Sequence, residues 1–391
     1  MTLMALGDTA EFINGAAFKP TDWASEGLPI IRIQNLTGTG EKFNYTTRQV
    51  KASLIVEPGD LLVSWSATLD VYRWAGTRGL LNQHIFKVLP KPGIDPDYLF
   101  YALKTALSEL SGKTHGSTMK HVVRGDFEST QVAVPSLPEQ RRIVDLLSRA
   151  EGIVRLRREA EKKAAELIPA LFNDMFGDPA TNPKGWPVAL LPDVLSRPFK
   201  NGLYLPKESY SADGFEMVHM SDAFYGEVKR GGLRRVLASK KQLDDYGLTK
   251  TDLLVARRSL TFDGAAKICG IPDSGDPLLF ESSFIRLAPD LAKVRTEFLL
   301  NYLNNPSTRQ AHVLGRISGI TISGINQAAM NQIPVLMPPL PLQDSFVARV
   351  AEVRSIQSQQ STATAKAQAT FDALLARCFA PTVAVVGGSS D

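Results

Sequence analysis

The sequence contains few residues that could form disulfide bonds or hold a metal ion. Its 391 residues include two cysteines and five histidines. Cys269 and Cys378 lie far apart without CxxC spacing, which excludes a disulfide framework and a cysteine-rich zinc site. His115 and His121 are the only close histidine pair, and no third ligand lies nearby. We therefore expect a protein of a reducing compartment that has no metal site.

Long apolar runs and a strong charge of either sign are also absent. No apolar run approaches the ~20 residues of a membrane span, and Asp8 and Glu11 stand where a signal peptide would be apolar. The 44 Lys+Arg and 40 Asp+Glu residues leave a net charge of +4, which excludes a polybasic tail or an acidic disordered chain. Because 44% of the residues are hydrophobic, the chain can fill two or three cores. We expect a cytoplasmic globular protein that does not contact membranes.

The common catalytic motifs are missing as well. The chain has no GxxxxGK[ST] phosphate loop, no GxGxxG after a strand, no HExxH and no GxSxG. It also lacks the Asn/Asp-Pro-Pro-aromatic tetrapeptide that holds a flipped amino group in amino-methyltransferases. The sequence therefore predicts a protein that is not an enzyme.

An internal repeat organises what is present. Asn14 and Gly15 recur 187 residues later as Asn201 and Gly202, and the offset reaches 203 by the second parts of the two halves. The front part of each half accepts insertions, as surface loops do, whereas the rear part continues without a gap. The repeat predicts two similar heads, each followed by a long helix.

The rear parts show apolar residues at alternating spacings of three and four, which predicts a coiled-coil-like seam. The first seam would consist of Ile143, Leu146, Ala150, Ile153, Ala160, Ala164, Leu167 and Leu171, and the second of Phe346, Val350, Val353, Ile356, Ala363, Ala367, Phe371 and Leu374. Arg157 and Gln360 occupy aligned polar positions, either within the seam or at its edge. Pro169 should kink or end the first helix. We expect the two helices to lie antiparallel and to separate the heads.

The front parts have short alternating runs between turn-rich pieces, so the fold class is α+β with two mixed, mostly β, heads. One helix per head is expected, near Asp95 to Leu110 and Val294 to Leu303. The predicted boundaries are 1–137 for the first head, 138–176 for helix one, 177–340 for a connector and the second head, 341–380 for helix two, and 381–391 for a tail. The halves are related by a pseudo-twofold repeat.

Clusters of Lys and Arg without matching acids mark candidate DNA contacts, because such side chains bind phosphates while Ser, Thr and His reach base edges. A solvated basic face is the usual explanation of such clusters and remains open here. The candidates in the first half are Lys113, Ser117, Thr118, Lys120, His121 and Arg124. Those in the second half are Lys229, Arg230, Arg234, Arg235, Lys240, Lys241, Arg257, Arg258 and Arg316.

Two segments carry a resemblance to a known family. They are GSTMKHVVRGDFESTQVAVPSLPEQRRIV (Gly116 to Val144) and the connector FGDPATNPKGWP (Phe176 to Pro187). With a head, a charged helix, the connector and a second head in that order, nearly the whole chain resembles the specificity subunit of type I restriction-modification enzymes. The second half is less typical, since Leu342 stands where the family often has an acid.

The resemblance implies a non-catalytic subunit whose heads are target recognition domains, each reading one half of a bipartite double-stranded DNA site. It also implies two adenine-N6 methyltransferase partners that bind S-adenosylmethionine and flip the target adenine. Restriction subunits that use ATP and Mg would join the same complex to translocate and cut DNA. The chain itself would bind no cofactor. The positions expected to form the spacer and seat partners are Gln140, Arg141, Arg142, Arg149, Arg157, Gln343 and Gln360.

Two other functions fit parts of the sequence. A coiled-coil scaffold whose heads bind proteins would have the same repeat but no salt-dependent affinity for DNA. A stand-alone nuclease or methyltransferase would need a catalytic site that the sequence does not display. Measuring the salt dependence of DNA affinity in the presence of partners distinguishes the scaffold from a DNA reader.

Overall fold

The computed structural model describes residues 2–40, 42–66, 68–113, 124–222, 228–273, 275–319 and 321–379. These residues form two compact units. One unit runs to Arg158 and resumes at Thr362, and the other comprises Glu159–Ser361. Both unit boundaries therefore fall inside long helices.

Within its described residues, the first unit has ten strands and four short or medium helices before its long helices. The strands are β1 (Thr2–Ala5), β2 (Ala10–Asn14), β3 (Leu28–Ile31), β4 (Asn44–Thr46), β5 (Ile55–Val56), β6 (Leu61–Ser64), β7 (Asp70–Arg73), β8 (Gly79–Leu81), β9 (Ile85–Pro90) and β10 (Gln131–Val134). The helices are α1 (Leu6–Thr9), α2 (Ile33–Thr37), α3 (Pro96–Lys113) and α4 (Arg124–Ser129).

Two four-stranded sheets and a two-stranded pair build the first head. Their strand orders are β2-β9-β6-β7, β4-β3-β8-β5 and β1-β10. All four residues of β6 are buried, which fits its apolar sequence and its place inside a sheet covered on both faces. Helix α3 adds Leu99 and Leu103, and α4 adds Phe127, to the core on one face. Each such buried side chain contributes about 1.5–3 kcal/mol.

The second unit repeats this plan with longer connections. Its strands are β11 (Val188–Leu190), β12 (Leu195–Asn201), β13 (Tyr210–Val218), β14 (Arg235–Val236), β15 (Leu253–Ala256), β16 (Arg258–Ser259), β17 (Ile268–Gly270), β18 (Leu278–Phe280), β19 (Phe284–Pro289), β20 (Ser323–Gly324) and β21 (Pro334–Leu336). Its shorter helices are α7 (Lys240–Tyr246), α8 (Thr296–Asn304), α9 (Pro306–Thr308) and α10 (Gln327–Met330).

Sheet topology confirms the internal repeat. The order β12-β19-β15-β17 in the second head matches β2-β9-β6-β7 in the first, and β11-β21 matches β1-β10. The repeated glycines have the same role. A Cβ atom at Gly15 would lie 2.0 Å from the Asn82 carbonyl oxygen, and one at Gly202 would lie 2.2 Å from that of Glu281. Only glycine permits these close backbone approaches.

The rear part of each half is helical, as predicted. In the first half, α5 (Leu137–Ala165) and α6 (Leu167–Phe176) follow one another, and in the second half α11 (Leu340–Phe379) is continuous. The break after Ala165 has a direct cause in Pro169. Proline clashes with the carbonyl group four residues before it, which here belongs to Ala165. The prediction of an interruption near Pro169 is therefore confirmed.

The predicted seam of the first helix is wrong by one residue at two positions, and Ile356 of the second predicted seam is also exposed. Leu146, Ile153 and Ile356 are exposed, whereas their neighbours Leu147 and Val154 are buried. An apolar residue stands at both positions of each pair in the first helix, so spacing alone does not choose between them. The choice is made by contacts with Tyr101 and Phe371 in one core cluster, to which Leu147 and Val154 belong.

Within the first unit the two long helices are antiparallel. Arg142 near the start of α5 lies close to Cys378 near the end of α11. Its charge offsets part of the rise that burial causes in the pKa of the Cys378 thiol. Further along α5, Arg158 Nη2 donates to Gln368 Oε1 at 2.8 Å. In the second unit, Gln357 Nε2 donates to the Ala164 carbonyl oxygen at 2.6 Å. The fold class predicted from the sequence, α+β with paired long helices, is confirmed.

Candidate nucleic-acid interface

Two arginines follow the last residue of β15, a strand with neighbours on both sides in its sheet. The Arg257 backbone N–H donates to the Ser283 carbonyl at 2.8 Å, and its guanidinium donates to the Ser282 carbonyl at 3.4 Å. The next residue, Arg258, is exposed and pairs with Gly324 in the short β16–β20 ladder. Arg257 is thus anchored by neighbouring backbone, while Arg258 extends toward solvent.

Exposed apolar side chains stand on the same segment as these arginines and on the segments next to it. Leu260 is 78% exposed and Tyr204 is 85% exposed, and Phe262 and Ile322 are about half exposed. Tyr204 follows Leu203, whose carbonyl accepts a hydrogen bond from Ser282 N at 2.8 Å. We call the set Tyr204, Arg257, Arg258, Leu260, Phe262 and Ile322 the β15-end surface. It combines cations with aromatic and aliphatic tips, a composition suited to phosphates and base faces.

The basic stretch from Lys229 to Lys241 begins away from these arginines. Val228 N donates to the Gly270 carbonyl, and Gly270 pairs with Leu253, the first residue of β15. The residues next to Val228 therefore lie at the opposite end of β15 from Arg257. The structure therefore separates Lys229 from Arg257.

Several arginines of this stretch hold the fold. Arg230 Nε donates to Glu216 Oε2 at 2.6 Å and its Nη1 donates to the Asp276 carbonyl at 2.8 Å. Arg235 Nε donates to the Gly214 carbonyl at 2.7 Å, and the guanidinium carbon of Arg234 lies 5.6 Å from the centre of the Tyr210 ring. Lys229, Lys240 and Lys241 are exposed.

The charges around β13 shift the pKa values of Glu216 and His219, which lie near the arginines of this stretch. Burial alone would raise the pKa of Glu216, but hydrogen bonds from Arg230 and the Gly231 N–H outweigh it, and the pKa lies below its ordinary value. Burial lowers the pKa of His219, and Arg234 lowers it further. A neutral His219 can donate from Nδ1 to the Met217 carbonyl at 2.9 Å and accept from the Tyr210 hydroxyl at 2.9 Å.

Arg316 also has intramolecular partners. Its Nη1 donates to the His312 carbonyl at 2.5 Å, and its Nη2 donates to the Gln332 carbonyl at 3.3 Å. Both acceptors belong to the backbone that precedes β21. Arg316 therefore connects two segments of the second unit.

In the first head the structure describes one full candidate side chain. Arg124 Nε donates to Glu128 Oε1 at 2.8 Å and its Nη2 donates to the Phe12 carbonyl at 3.1 Å. Lys113 ends α3. The candidates outside the described residues are Ser117, Thr118, Lys120 and His121.

The two predicted spacer glutamines are buried at the starts of the long helices. Gln140 Oε1 accepts from Asp95 N at 2.8 Å, and its amide donates to the Pro135 carbonyl at 2.9 Å. Gln343 repeats this contact, accepting from Arg295 N at 2.8 Å and donating to the Pro338 carbonyl at 2.8 Å. Each amide thus ties a long helix to the loop before the head's own helix.

The other predicted spacer residues are more accessible. Arg141, Arg142 and Arg149 are exposed, and the last two pair with acids of their own helix, Glu139 and Asp145. The remaining two, Arg157 and Gln360, are partly buried.

The described residues also bear on metal sites and membrane spans. Among the described residues, no group of three or more His, Cys, Asp or Glu side chains could hold a metal ion. In the same part of the chain, no helix has the length and apolar character needed to cross a membrane.

Comparison with known proteins connects this architecture to one family. A family model, the type I restriction modification DNA specificity domain, matches residues 1–166. The EcoBI specificity subunit of Escherichia coli is 24% identical, and the alignment covers 96% of this chain and 85% of that protein. The StySPI specificity subunit of Salmonella potsdam is 23% identical, with 90% and 81% covered. Over nearly its full length the chain is similar to type I restriction-modification specificity subunits.

Solved structures of the family share the fold over almost the full length. A structure reported for the assembly and conformational transition of the type I R-M system has a TM-score of 0.61 at 18% identity, covering 96% of this chain and 97% of that chain. The S subunit from M. genitalium has a TM-score of 0.52 at 14% identity, with 97% and 96% covered.

This similarity assigns the coarse function. Specificity subunits are the non-catalytic components of type I complexes, and this chain is a DNA specificity subunit of such a system. The predicted family is confirmed, and the separate scaffold and stand-alone enzyme readings are set aside. The exposed apolar residues of the β15-end surface were missed by sequence reasoning. Their signal was the pair Leu260 and Phe262 within an otherwise polar, turn-like segment.

Proposed function

We propose that each head reads one half of a bipartite double-stranded DNA site. The observation that carries this proposal is the repeated sheet order, β2-β9-β6-β7 and β12-β19-β15-β17, on one chain. Two similar folds with different loops can read two different short sequences. We further propose domain boundaries of 1–137 and 177–340 for the two readers, with 138–176 and 341–380 as the spacer.

The spacer helices set the distance between the half-sites in this proposal. Helix α5 and helix α11 each pass from one compact unit into the other. Since a helix rises 1.5 Å per residue, we propose that the number of residues in the spacer helices sets how many bases between the half-sites are left unread. The buried Gln140 and Gln343 support this role because they join each helix firmly to its head.

The same helices seat two methyltransferase subunits. Leu146, Ile153 and Leu156 are exposed on α5, and their spacings of seven and three place them on one face. Exposed Arg141 and Arg149 lie on the same helix. A partner helix could bury the apolar residues and pair with the arginines. A pseudo-twofold repeat suits two copies of one partner, since each copy needs a similar surface.

The chemistry of the complex belongs to the partners. A methyltransferase subunit supplies S-adenosylmethionine and the pocket for the flipped adenine, and the restriction subunits supply ATP and Mg for translocation and cleavage. The contribution of this chain is to position those partners on DNA. Its own heads and spacer bind no cofactor in this proposal.

The first test is single-molecule methylome sequencing of the host with and without the gene. We expect one bipartite motif carrying N6-methyladenine to disappear with the gene, which would also identify both half-sites. A single continuous motif would contradict two separate readers. If no motif changes although the methyltransferase subunit is expressed, the proposed function is wrong.

Docking is tested by reversing the charges of Arg141, Arg142 and Arg149. Surface ion pairs are each worth up to ~1 kcal/mol, so the triple Glu variant should weaken co-purification with the methyltransferase by tenfold or more. The matched control is charge reversal of Lys229, Lys240 and Lys241 in the second head. Normal assembly of the helix variant would remove this face of α5 from the docking surface.

A further inference from the structure

The loop between β16 and β17 presents the most unusual surface feature of the second unit. Among the described residues, Leu260 is more exposed than any other large aliphatic side chain, and Phe262 nearby is 49% exposed. Such side chains usually lie partly covered when they have only a structural role. Two apolar tips on one short loop therefore indicate a surface that is buried in a complex.

The loop is held in place by its own unit. Arg309 Nη1 donates to the Ala266 carbonyl at 3.0 Å, and its Nη2 donates to the carbonyls of Asp263 and Ala265 at 3.0 and 3.1 Å. Thr261 N also donates to Ser259 Oγ at 3.1 Å. A loop with its backbone fixed in advance loses little conformational entropy when it binds.

A cation and a third apolar side chain adjoin the loop. Exposed Arg258 lies two residues before Leu260. Ser259 pairs with Ser323 in the antiparallel β16–β20 ladder, so Leu260 and Ile322 are the next residues beyond that pair. Directly opposed residues of antiparallel strands project to the same side. The tip thus combines three apolar groups with a neighbouring guanidinium.

We propose that this loop is a wedge that inserts Leu260 between two stacked base pairs of the half-site bound by the second head. Arg258 contacts a phosphate beside the opened step, and Phe262 and Ile322 cover the unstacked base faces. Apolar wedges next to cations are a known means of kinking duplex DNA. This inference rests on the proposed DNA-reading function and adds a mechanism of indirect readout, since base steps differ in the cost of opening.

The test uses the assembled complex of this chain with its methyltransferase subunits and a duplex carrying the motif found by methylome sequencing. The fluorescent base 2-aminopurine is placed in turn at each position of the second half-site except the methylated adenine. We expect fluorescence to rise at one base step because that step loses stacking. Leu260→Ala should abolish most of this rise and weaken binding to the motif about tenfold, the expected loss for one apolar side chain.

Two variants accompany Leu260→Ala. Leu260→Met keeps a long apolar side chain and should retain the fluorescence rise. Leu291→Ala removes an exposed leucine near the start of α8, and it should change neither fluorescence nor affinity. Because Leu260 is largely exposed, its removal should leave folding and assembly intact.

The outcomes separate this inference from the proposed function. If the wild-type complex discriminates the motif but no step becomes fluorescent, the wedge is wrong and the reader stands. If the complex shows no preference for the motif, the proposed function itself fails. If Leu260→Ala instead reduces co-purification with the methyltransferase, the loop contacts protein and the wedge is also overturned.

Discussion

The two heads share one sheet order, but they differ at the end of an inner strand of that sheet, β6 in the first head and β15 in the second. In the first head, Trp65 follows β6 and stacks on Phe86 at a ring distance of 5.8 Å. In the second head, Arg257 and Arg258 follow the equivalent strand β15 and lead into the loop that carries Leu260. One end is closed by aromatic packing, whereas the other extends an exposed loop. The difference shows that an insertion at a strand end changes the surface without changing the sheet.

Contacts that join head to helix are alike in both units. A buried glutamine accepts from a backbone N–H before the head's helix in each unit, at Gln140 and at Gln343. A buried tyrosine of each head's helix donates to the strand before the long helix, from Tyr98 to Ala133 O and from Tyr302 to Pro334 O. The glutamine contact is therefore strictly repeated, whereas the tyrosines stand at non-equivalent positions of α3 and α8 and the strand ends differ.

The largest expected difference between the units concerns the last turns of the long helices. Phe172 is buried among Phe176, Phe298 and Phe346, whereas its repeat counterpart Leu375 is only partly buried. We expect Phe172→Ala to lower the free energy of unfolding by about 4 kcal/mol and Leu375→Ala by about 2 kcal/mol. Urea denaturation of each variant measures both values. Equal losses would show that the two helix ends pack equally well.

Removing either buried glutamine should lower the stability of the protein by a similar amount. Each of Gln140→Ala and Gln343→Ala leaves buried backbone groups without partners, which costs about 2–3 kcal/mol. Gln359→Ala changes an exposed glutamine of α11 and should cost less than about 0.5 kcal/mol. Thermal denaturation compares the three variants. A loss at one junction only would break the structural equivalence of the two units.

The Glu216–Arg230 contact belongs to the second head and should make that head sensitive to acid. Since the folded Glu216 carboxyl has a lowered pKa, its stabilisation is complete above the unfolded value near 4.5 and is lost as pH falls through the folded pKa. Glu216→Gln should lower the free energy of unfolding by about 2 kcal/mol at pH 7, and the difference from the wild type should become smaller at acid pH. Stability curves of both proteins from pH 7 to pH 3 test this. A deficit that stays constant with pH would exclude the charge as its cause.

The smallest expected effect is a difference in DNA affinity between variants at Arg258 and at Lys229, the two ends of β15. Arg258→Ala should weaken binding of the methyltransferase complex to its motif by about 1.4 kcal/mol, or tenfold, and relax one position of the motif if the side chain reaches a base. Lys229→Ala, at the opposite end of β15, should change affinity less than twofold. Salt titrations of both variants complete the comparison. Identical losses would place both residues on the DNA.

Sequence reasoning predicted the architecture because its signals were long and repeated. Two halves with matching glycines and prolines, and over 30 helical residues in each rear part, specify the same fold twice. Reasoning about the site was weaker because Arg230 and Arg258 look alike in a sequence. One lies against a buried carboxylate and the other extends into solvent, a difference made by residues distant in the chain.

The sequence by itself determined the repeat, the two mixed heads, the paired helices and the interruption at Pro169, since these follow from local spacing and backbone chemistry. Tertiary structure alone decided which of two adjacent apolar residues faces the seam, as at Leu146 and Leu147. It also decided which cations are bound internally and which apolar residues remain outside. Those outcomes depend on packing between distant segments, where side chains compete for space and for hydrogen-bond partners.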